Sequence, residues 1–194
     1  MTTEVRHGVD VTALGKFGDF LNENPDKGIL TLGTTATYEG TIGRSMVHIG
    51  PYSLDDQEID RATRQYTIPF GAWKEVEELA GFTGPTDRME PVEIALGALA
   101  ACLIVGVSFN ALVQGISLDK IETSVEAEVD PRVLFGLNSL AEAPSCLKTV
   151  RAEVKVSGDV KDEDLARLRE MAERSPVHTL MSAPNRIITE VSRA

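Results

Sequence analysis

Residues 90–114 read EPVEIALGALAACLIVGVSFNALVQ, and the fold turns on what this stretch is. Pro91 suits a first helical position and Gly115 suits a helix stop, so the pattern predicts one helix from about Pro91 to Gln114. No charged side chain falls between Ile94 and Val107, and Cys102 sits near the middle. Three readings compete: a membrane anchor, a buried core helix, or the frame for a reactive thiol. A spanning helix needs about 20 predominantly apolar residues. The apolar run here has 14, and Ser108, Asn110 and Gln114 follow it, which favours a core helix. Ala98, Leu99, Val105 and Gly106 neighbour Cys102 at helical spacing and are all apolar or small. Such surroundings keep a thiol inert, so these residues alone make Cys102 a small buried hydrophobe unless a cation reaches it. Gly97, Ala98, Ala101 and Gly106 leave room for a second helix.

The flanking segments alternate with period two. In KIETSVEAEVD, Ile121, Thr123, Val125, Ala127 and Val129 interleave with Glu122, Ser124, Glu126 and Glu128, which is a strand with one wet acidic face. In LKTVRAEVKVSG, Val150, Ala152, Val154 and Val156 share a face, and Lys148, Arg151, Glu153 and Lys155 lie mostly on the other. The opposite outer charges favour antiparallel pairing of the two strands. DEDLARLREMAER then reads as a helix with the apolar stripe Leu165, Leu168, Met171 and Ala172 and acids in its first turn. Ser175-Pro176 breaks it, and NRIITEV reads as a closing strand.

Upstream, residues 1–27 form a polar lead-in with one helix near Val11 to Asn22. ILTLGTTATYEG and IGRSMVHIG make a candidate hairpin over 29–50. RQYTIPF reads as a short strand, WKEVEELAGF as a short helix whose EVEE face is wet, and GFTGPTDRMEP as loop. Asp55, Asp56, Glu58 and Asp60 read as a solvated loop face. Trp73 and Phe70 read either as core or as cover for an apolar patch. Strands, helix, strands, helix, strand is an α+β order, with helices on antiparallel sheet. We take residues 28–194 as a single domain.

The net charge of −11 argues against nucleic-acid and anionic-membrane partners. Two cysteines, Cys102 and Cys146, are too few for a disulfide framework, and MTTEVRHGVD has no apolar signal core. A cytoplasmic setting is expected. His7, His48 and His178 lack metal-ligand spacing, and there is no phosphate-binding glycine loop or nucleophile elbow. Neither a metal nor another cofactor is expected. Cys146, at the head of a strand, reads as half-buried.

The spacing Pro-x-Glu-(apolar)-Ala-Ala-Cys, with Pro91 eleven residues before Cys102, resembles the OsmC/Ohr family. The strand KIETSVEAEVD, a strand ending VSGD and an amphipathic helix running into SPV strengthen the resemblance, which covers 84–194 well and 29–70 loosely. It implies an α+β fold with antiparallel sheets packed around a long central helix, built as an intertwined homodimer. It also implies thiol-dependent reduction of organic hydroperoxides in oxidative-stress defence. In that scheme a helix cysteine attacks the peroxide and a second cysteine resolves the sulfenic acid. An arginine and the glutamate just after the motif proline hold the thiolate.

Carried over residue by residue, Cys102 matches the attacking cysteine. Ser175 stands where the resolving cysteine is expected, and a serine forms no disulfide. Val92 stands where the acid is expected, with Glu93 one step, about 100°, around the helix. Arg44, Arg61, Arg64 and Arg88 are candidates for the arginine; we prefer Arg64, which opens a strand leading back toward the helix. His178, just past the SPV turn, is a candidate base or a surface histidine. Two functions stay open. One is a single-cysteine hydroperoxide reductase using Cys102, Arg64 and Glu93, resolved by an external thiol reductant or by Cys146. The other is a non-catalytic homodimer that binds a small apolar ligand in its interface pocket.

Overall fold

The computed structural model describes residues 4–193, which fall into two compact units, 1–94 and 95–194. The first begins with a two-stranded ribbon, β1 (Val5–Arg6) and β2 (Val9–Asp10), and α1 (Val11–Glu23). The Asp10 carboxylate accepts from the Ala13 N–H and caps α1. This is the expected helix, one residue longer than the sequence suggested.

The predicted hairpin forms as β3 (Leu30–Tyr38) and β4 (Ser45–Leu54), antiparallel, with a bulge between Leu32 and Thr34. The far side of β4 is shared by two short strands. β5 (Gln57–Ile59) pairs with its C-terminal end and β6 (Tyr66–Phe70) with its N-terminal half. The β4–β5 turn uses Asp55 and Asp56, both at positive φ (50° and 57°), a conformation Asp tolerates better than most residues. α2 (Lys74–Leu79) follows. Phe70 is buried, which settles it as core, and Trp73 is 41% exposed. All nine residues of β3 are exposed.

The EVEE segment departs from expectation. Glu77 is 1% exposed, because Arg44 reaches it from the turn before β4. The Arg44 Nε and a terminal nitrogen donate to the two Glu77 oxygens at 3.1 and 2.5 Å. The Thr86 N–H adds a bond to Glu77 at 2.6 Å, and Arg44 also donates to the Gly84 carbonyl. One ion pair thus fastens α2 and the loop over 84–86 to the start of β4. Six residues of helix cannot show in sequence which face a partner 33 positions away will cover.

α3 (Pro91–Val113) links the units. At its N-terminus the Glu93 carboxylate reaches back to the Glu90 N–H at 3.0 Å, and the Glu90 carboxylate accepts from the Val92 N–H. Two backbone donors at the start of the helix are met this way. At its C-terminus Gly115, at φ 72°, donates to Leu112, and Ile116 donates to Ala111. That paired arrangement closes the helix, and glycine is the residue that enters it without strain.

In the second unit, β7 (Ser117–Val129) and β8 (Leu147–Asp159) pair antiparallel, with Glu122 opposite Lys155 and Glu126 opposite Arg151. The expected cross-strand charge match is therefore met. α4 (Asp162–Glu173) lays Leu168, Met171 and Ala172 into a core with Leu99, Leu103, Val107, Ala111 and Leu118. Leu165, expected in the same stripe, is half exposed. A short helix missed by pattern, α5 (Pro176–Ser182), follows Ser175. NRIITEV does not form the expected strand: residues 183–193 carry no regular element, and Ile187, Ile188 and Val191 are exposed.

Gly106 is where α3 and α4 meet. A Cβ there would stand 3.0 Å from the Met171 carbonyl oxygen, closer than such contacts comfortably run. Gly106→Val forces α4 away from its seat and is expected to cost about 1–3 kcal/mol of stability, read as a lowered melting temperature. An unchanged melting point would mean that the two helices do not approach there.

Candidate functional site

α3 is apolar all round, yet the second unit buries only one stripe of it, Leu99, Leu103, Val107 and Ala111, at i, i+4 spacing. The adjoining stripe, Ala98, Ala101, Val105 and Phe109, is exposed; Val105 is 52% and Phe109 48% exposed. Cys102 stands beside this open stripe and is itself partly exposed and free. The reading of Cys102 as a small buried hydrophobe is thus corrected to a partly exposed one. The helix presents its thiol on the margin that the core leaves uncovered. By length and composition α3 could cross a membrane, but its buried stripe packs on α4 and the β7–β8 sheet as core.

Ser175 is fully buried at the N-terminus of α5. Its backbone nitrogen lies 4.0 Å from the Cβ position of Gly106, one helical turn along α3 from Cys102. Its hydroxyl accepts from the His178 N–H at 3.2 Å and caps α5. The second unit thus brings Ser175 to the helix that carries Cys102, and the hydroxyl has a structural duty there. Cys146 is half-buried just before β8, as expected, and its carbonyl accepts from the Asp130 N–H at 2.7 Å.

Arg64 and Glu93 belong to the other unit. The four candidate arginines separate clearly. Arg44 is engaged by Glu77 and Arg88 by Glu39. Arg61 is exposed, and neither it nor Arg64 has a carboxylate partner among the described residues. Arg64 closes a short 3-10 turn before β6 and does not open the strand itself. Its guanidinium stacks over Tyr52 at 4.7 Å, and its Nε is buried without a hydrogen-bond partner. Glu93 is occupied. Besides capping α3 it accepts from the Trp73 indole N–H at 3.0 Å. The Glu90 N–H and then the Trp73 N–H hold its carboxyl below the usual range. His48 contacts Gln65 at 2.8 Å and Thr67 at 3.4 Å, and Gln65 in turn donates to Asp60. Among the described residues no cluster of three His, Cys, Asp or Glu side chains is placed to hold a metal ion.

The family model described as OsmC-like protein matches residues 84–190. The solved OsmC-like protein from Mycoplasma pneumoniae is similar at 14% identity and a TM-score of 0.53, covering 79% of this chain and 88% of that one. The organic hydroperoxide resistance protein OhrB of Bacillus subtilis is similar at 18% identity and a TM-score of 0.45, covering 79% and 91%. An organic hydroperoxide resistance protein OsmC from Legionella pneumophila gives 18% and 0.41, covering 79% and 90%. No curated protein matches this chain by sequence. With more than half its length matched by the family model, and an α+β fold like that of the Mycoplasma protein, the chain belongs to the OsmC-like family.

Proposed function

We propose that the protein is a homodimeric, thiol-dependent organic hydroperoxide reductase with Cys102 as its single redox centre. The observation that carries this is the partial exposure of Cys102 beside the open stripe of α3. A thiol meant only for packing would sit in the stripe with Leu99 and Leu103. The Cys102 thiolate attacks one peroxide oxygen; an S–O bond forms, the O–O bond breaks, and the alkoxide leaves as the alcohol after taking a proton. The sulfenic acid is then met by an external thiol, which releases water and leaves a mixed disulfide. A second thiol attacks that disulfide, frees Cys102 and departs as an oxidised pair. Ser175 closes the route through its own position. A resolver there would need a sulfur, and the Ser175 hydroxyl is committed to α5.

A positive charge must hold the thiolate. Arg64 suits that role best of the four candidates, since it is half-buried with hydrogen-bonding capacity unspent. Glu93 acts as a positioning residue, setting the start of α3 and the Trp73 indole. The test is turnover: loss of an organic hydroperoxide with a monothiol and with a dithiol reductant. Catalytic consumption with either supports the reading, and none with any reductant overturns it.

The homodimer is supported by the open stripe of α3, an apolar surface next to water that a second copy would cover. Val105→Asp places a charge at its centre. We expect the dimer's dissociation constant to rise by at least roughly a hundredfold, measured by analytical ultracentrifugation. A wild-type monomer at tens of micromolar would contradict the dimer. The same stripe favours a second reading, in which the pocket binds an apolar ligand without chemistry. That reading gains if peroxide is left intact while an apolar fluorescent probe binds in a Val105-dependent way.

A further inference from the structure

The second unit gathers large exposed apolar side chains in the turn between β7 and β8. Residues 131–140 there read PRVLFGLNSL, and Leu134, Phe135, Leu137 and Leu140 are 63–84% exposed. No charged side chain falls between Val133 and Ala141. Apolar surface held in water at this density marks a site of contact.

The turn is a built knob. Leu137 donates to the Arg132 carbonyl at 2.9 Å and Gly136 to the Val133 carbonyl at 3.0 Å, with Gly136 at φ 68°. This nested pair is the closure that also ends α3, and glycine enters it without strain. The Phe135 N–H turns back to the Pro131 carbonyl. A second turn follows at once. The Ser139 N–H and hydroxyl both meet the Glu142 carboxylate at 2.9 Å, and the Glu142 N–H returns to the Ser139 carbonyl at 3.0 Å. The Asp130 N–H, bonded to the Cys146 carbonyl, shuts the neck. Charge at the neck is spent locally. The Asp130 carboxylate accepts from the Arg132 N–H and from two guanidinium nitrogens, and Lys148 faces Glu128 at 3.8 Å.

We propose that the knob at 131–140 docks on a zwitterionic lipid surface, with Leu134, Phe135, Leu137 and Leu140 seated at the boundary between headgroups and acyl chains. A bilayer accepts apolar area without a matching groove, but it admits backbone only where hydrogen bonds are met within the segment. The nested bonds of Phe135, Gly136 and Leu137 meet that condition at the tip. Anionic lipid would call for free basic side chains around the knob; Arg132 and Lys148 are paired, and the chain carries a net charge of −11. A protein partner would be oriented by rim charges, and here those charges face one another. The proposal goes beyond the reductase reading and stands or falls apart from it, since its test uses binding alone.

Flotation of the full chain with phosphatidylcholine vesicles tests it. The protein should rise with the vesicles equally at low and high salt, and no more strongly when phosphatidylglycerol is mixed in. Leu134→Asp with Phe135→Asp should lower the partition coefficient at least about tenfold. The melting temperature should hold, because both side chains are exposed in the fold. Phe135→Trp gives an independent reading. Its emission, taken as the difference from the wild type with Trp73 alone, should shift to the blue on vesicles and be quenched by brominated acyl chains. The proposal is overturned if the wild type stays unbound, if the double variant floats equally well, or if brominated lipid leaves the added tryptophan unquenched. A wild type that ignores vesicles, with a double variant that changes oligomer size in lipid-free solution, would also overturn it and assign the knob to a contact between copies.

Discussion

Cys102→Ser should lower organic hydroperoxide reduction at least roughly a thousandfold while leaving the melting temperature almost unchanged. The size of the effect follows from the role: the variant removes the atom that forms the bond to oxygen, and no neighbouring group replaces a nucleophile. The small effect on stability follows from the site, since serine is nearly isosteric and the side chain is partly exposed. Cys146→Ser should retain activity within about twofold if the external route operates. A larger loss with Cys146→Ser would mean that Cys146 resolves the sulfenic acid. Ser175→Cys is the informative gain. It places a second sulfur beside α3, one turn from Cys102, and should reduce dependence on a monothiol in favour of a dithiol reductant.

Glu77→Ala should be the most destabilising single change in the first unit. It strands Arg44, whose side chain is 11% exposed, without the carboxylate that satisfies it, and it frees the Thr86 N–H. Removing one member of a buried ion pair is costly because the other charge stays behind. A fall in melting temperature on the order of 10 °C is expected. Replacing both partners together, Arg44→Met with Glu77→Met, should recover much of the loss, because no uncompensated charge then remains. The pH dependence has a definite sign. Arg44, with Thr86, holds the Glu77 carboxyl at about 2, against 4.5 for the free group. A folded-state value below the unfolded one gives stability that is complete above the unfolded value. That stability drains as pH falls from about 4.5 toward 2. Acid unfolding followed by circular dichroism should show this limb in the wild type and a flatter one in Glu77→Gln. Equal acid limbs would mean the pair contributes nothing.

Much of the fold was legible in the sequence because it depends on periods and punctuation. Alternation in 120–130 and 147–158 identified β7 and β8 together with their charge-matched pairing. Pro91 and Gly115 bracketed α3 correctly. What escaped depends on distant partners. Glu77 reads as one acid among several on a short helix, and only the arrival of Arg44 makes it a buried hub. Ile187 and Ile188 read as strand, but a strand is a relation between two segments, and among the described residues no second segment pairs with them. Pattern likewise could not show that the stripe of α3 next to Cys102 would stay open, since a helix apolar on every side does not mark which side its own core will take.

The site followed the same division. The motif pointed to Cys102 and Ser175, and the structure places both on or against α3. Sequence could prefer Arg64 among the four arginines but not show which guanidinium is already spent. Arg44 and Arg88 are paired, while Arg64 is stacked on Tyr52 with its Nε unmet.

The central claim, that Cys102 performs the chemistry, is tested most directly by intact-protein mass spectrometry. The protein is treated for a few minutes with a stoichiometric organic hydroperoxide in the presence of a sulfenic-acid-trapping dione. The account predicts one trapped adduct per chain, mapped to Cys102, with Cys146 left as a free thiol. An unmodified Cys102, with the peroxide still present, would contradict it.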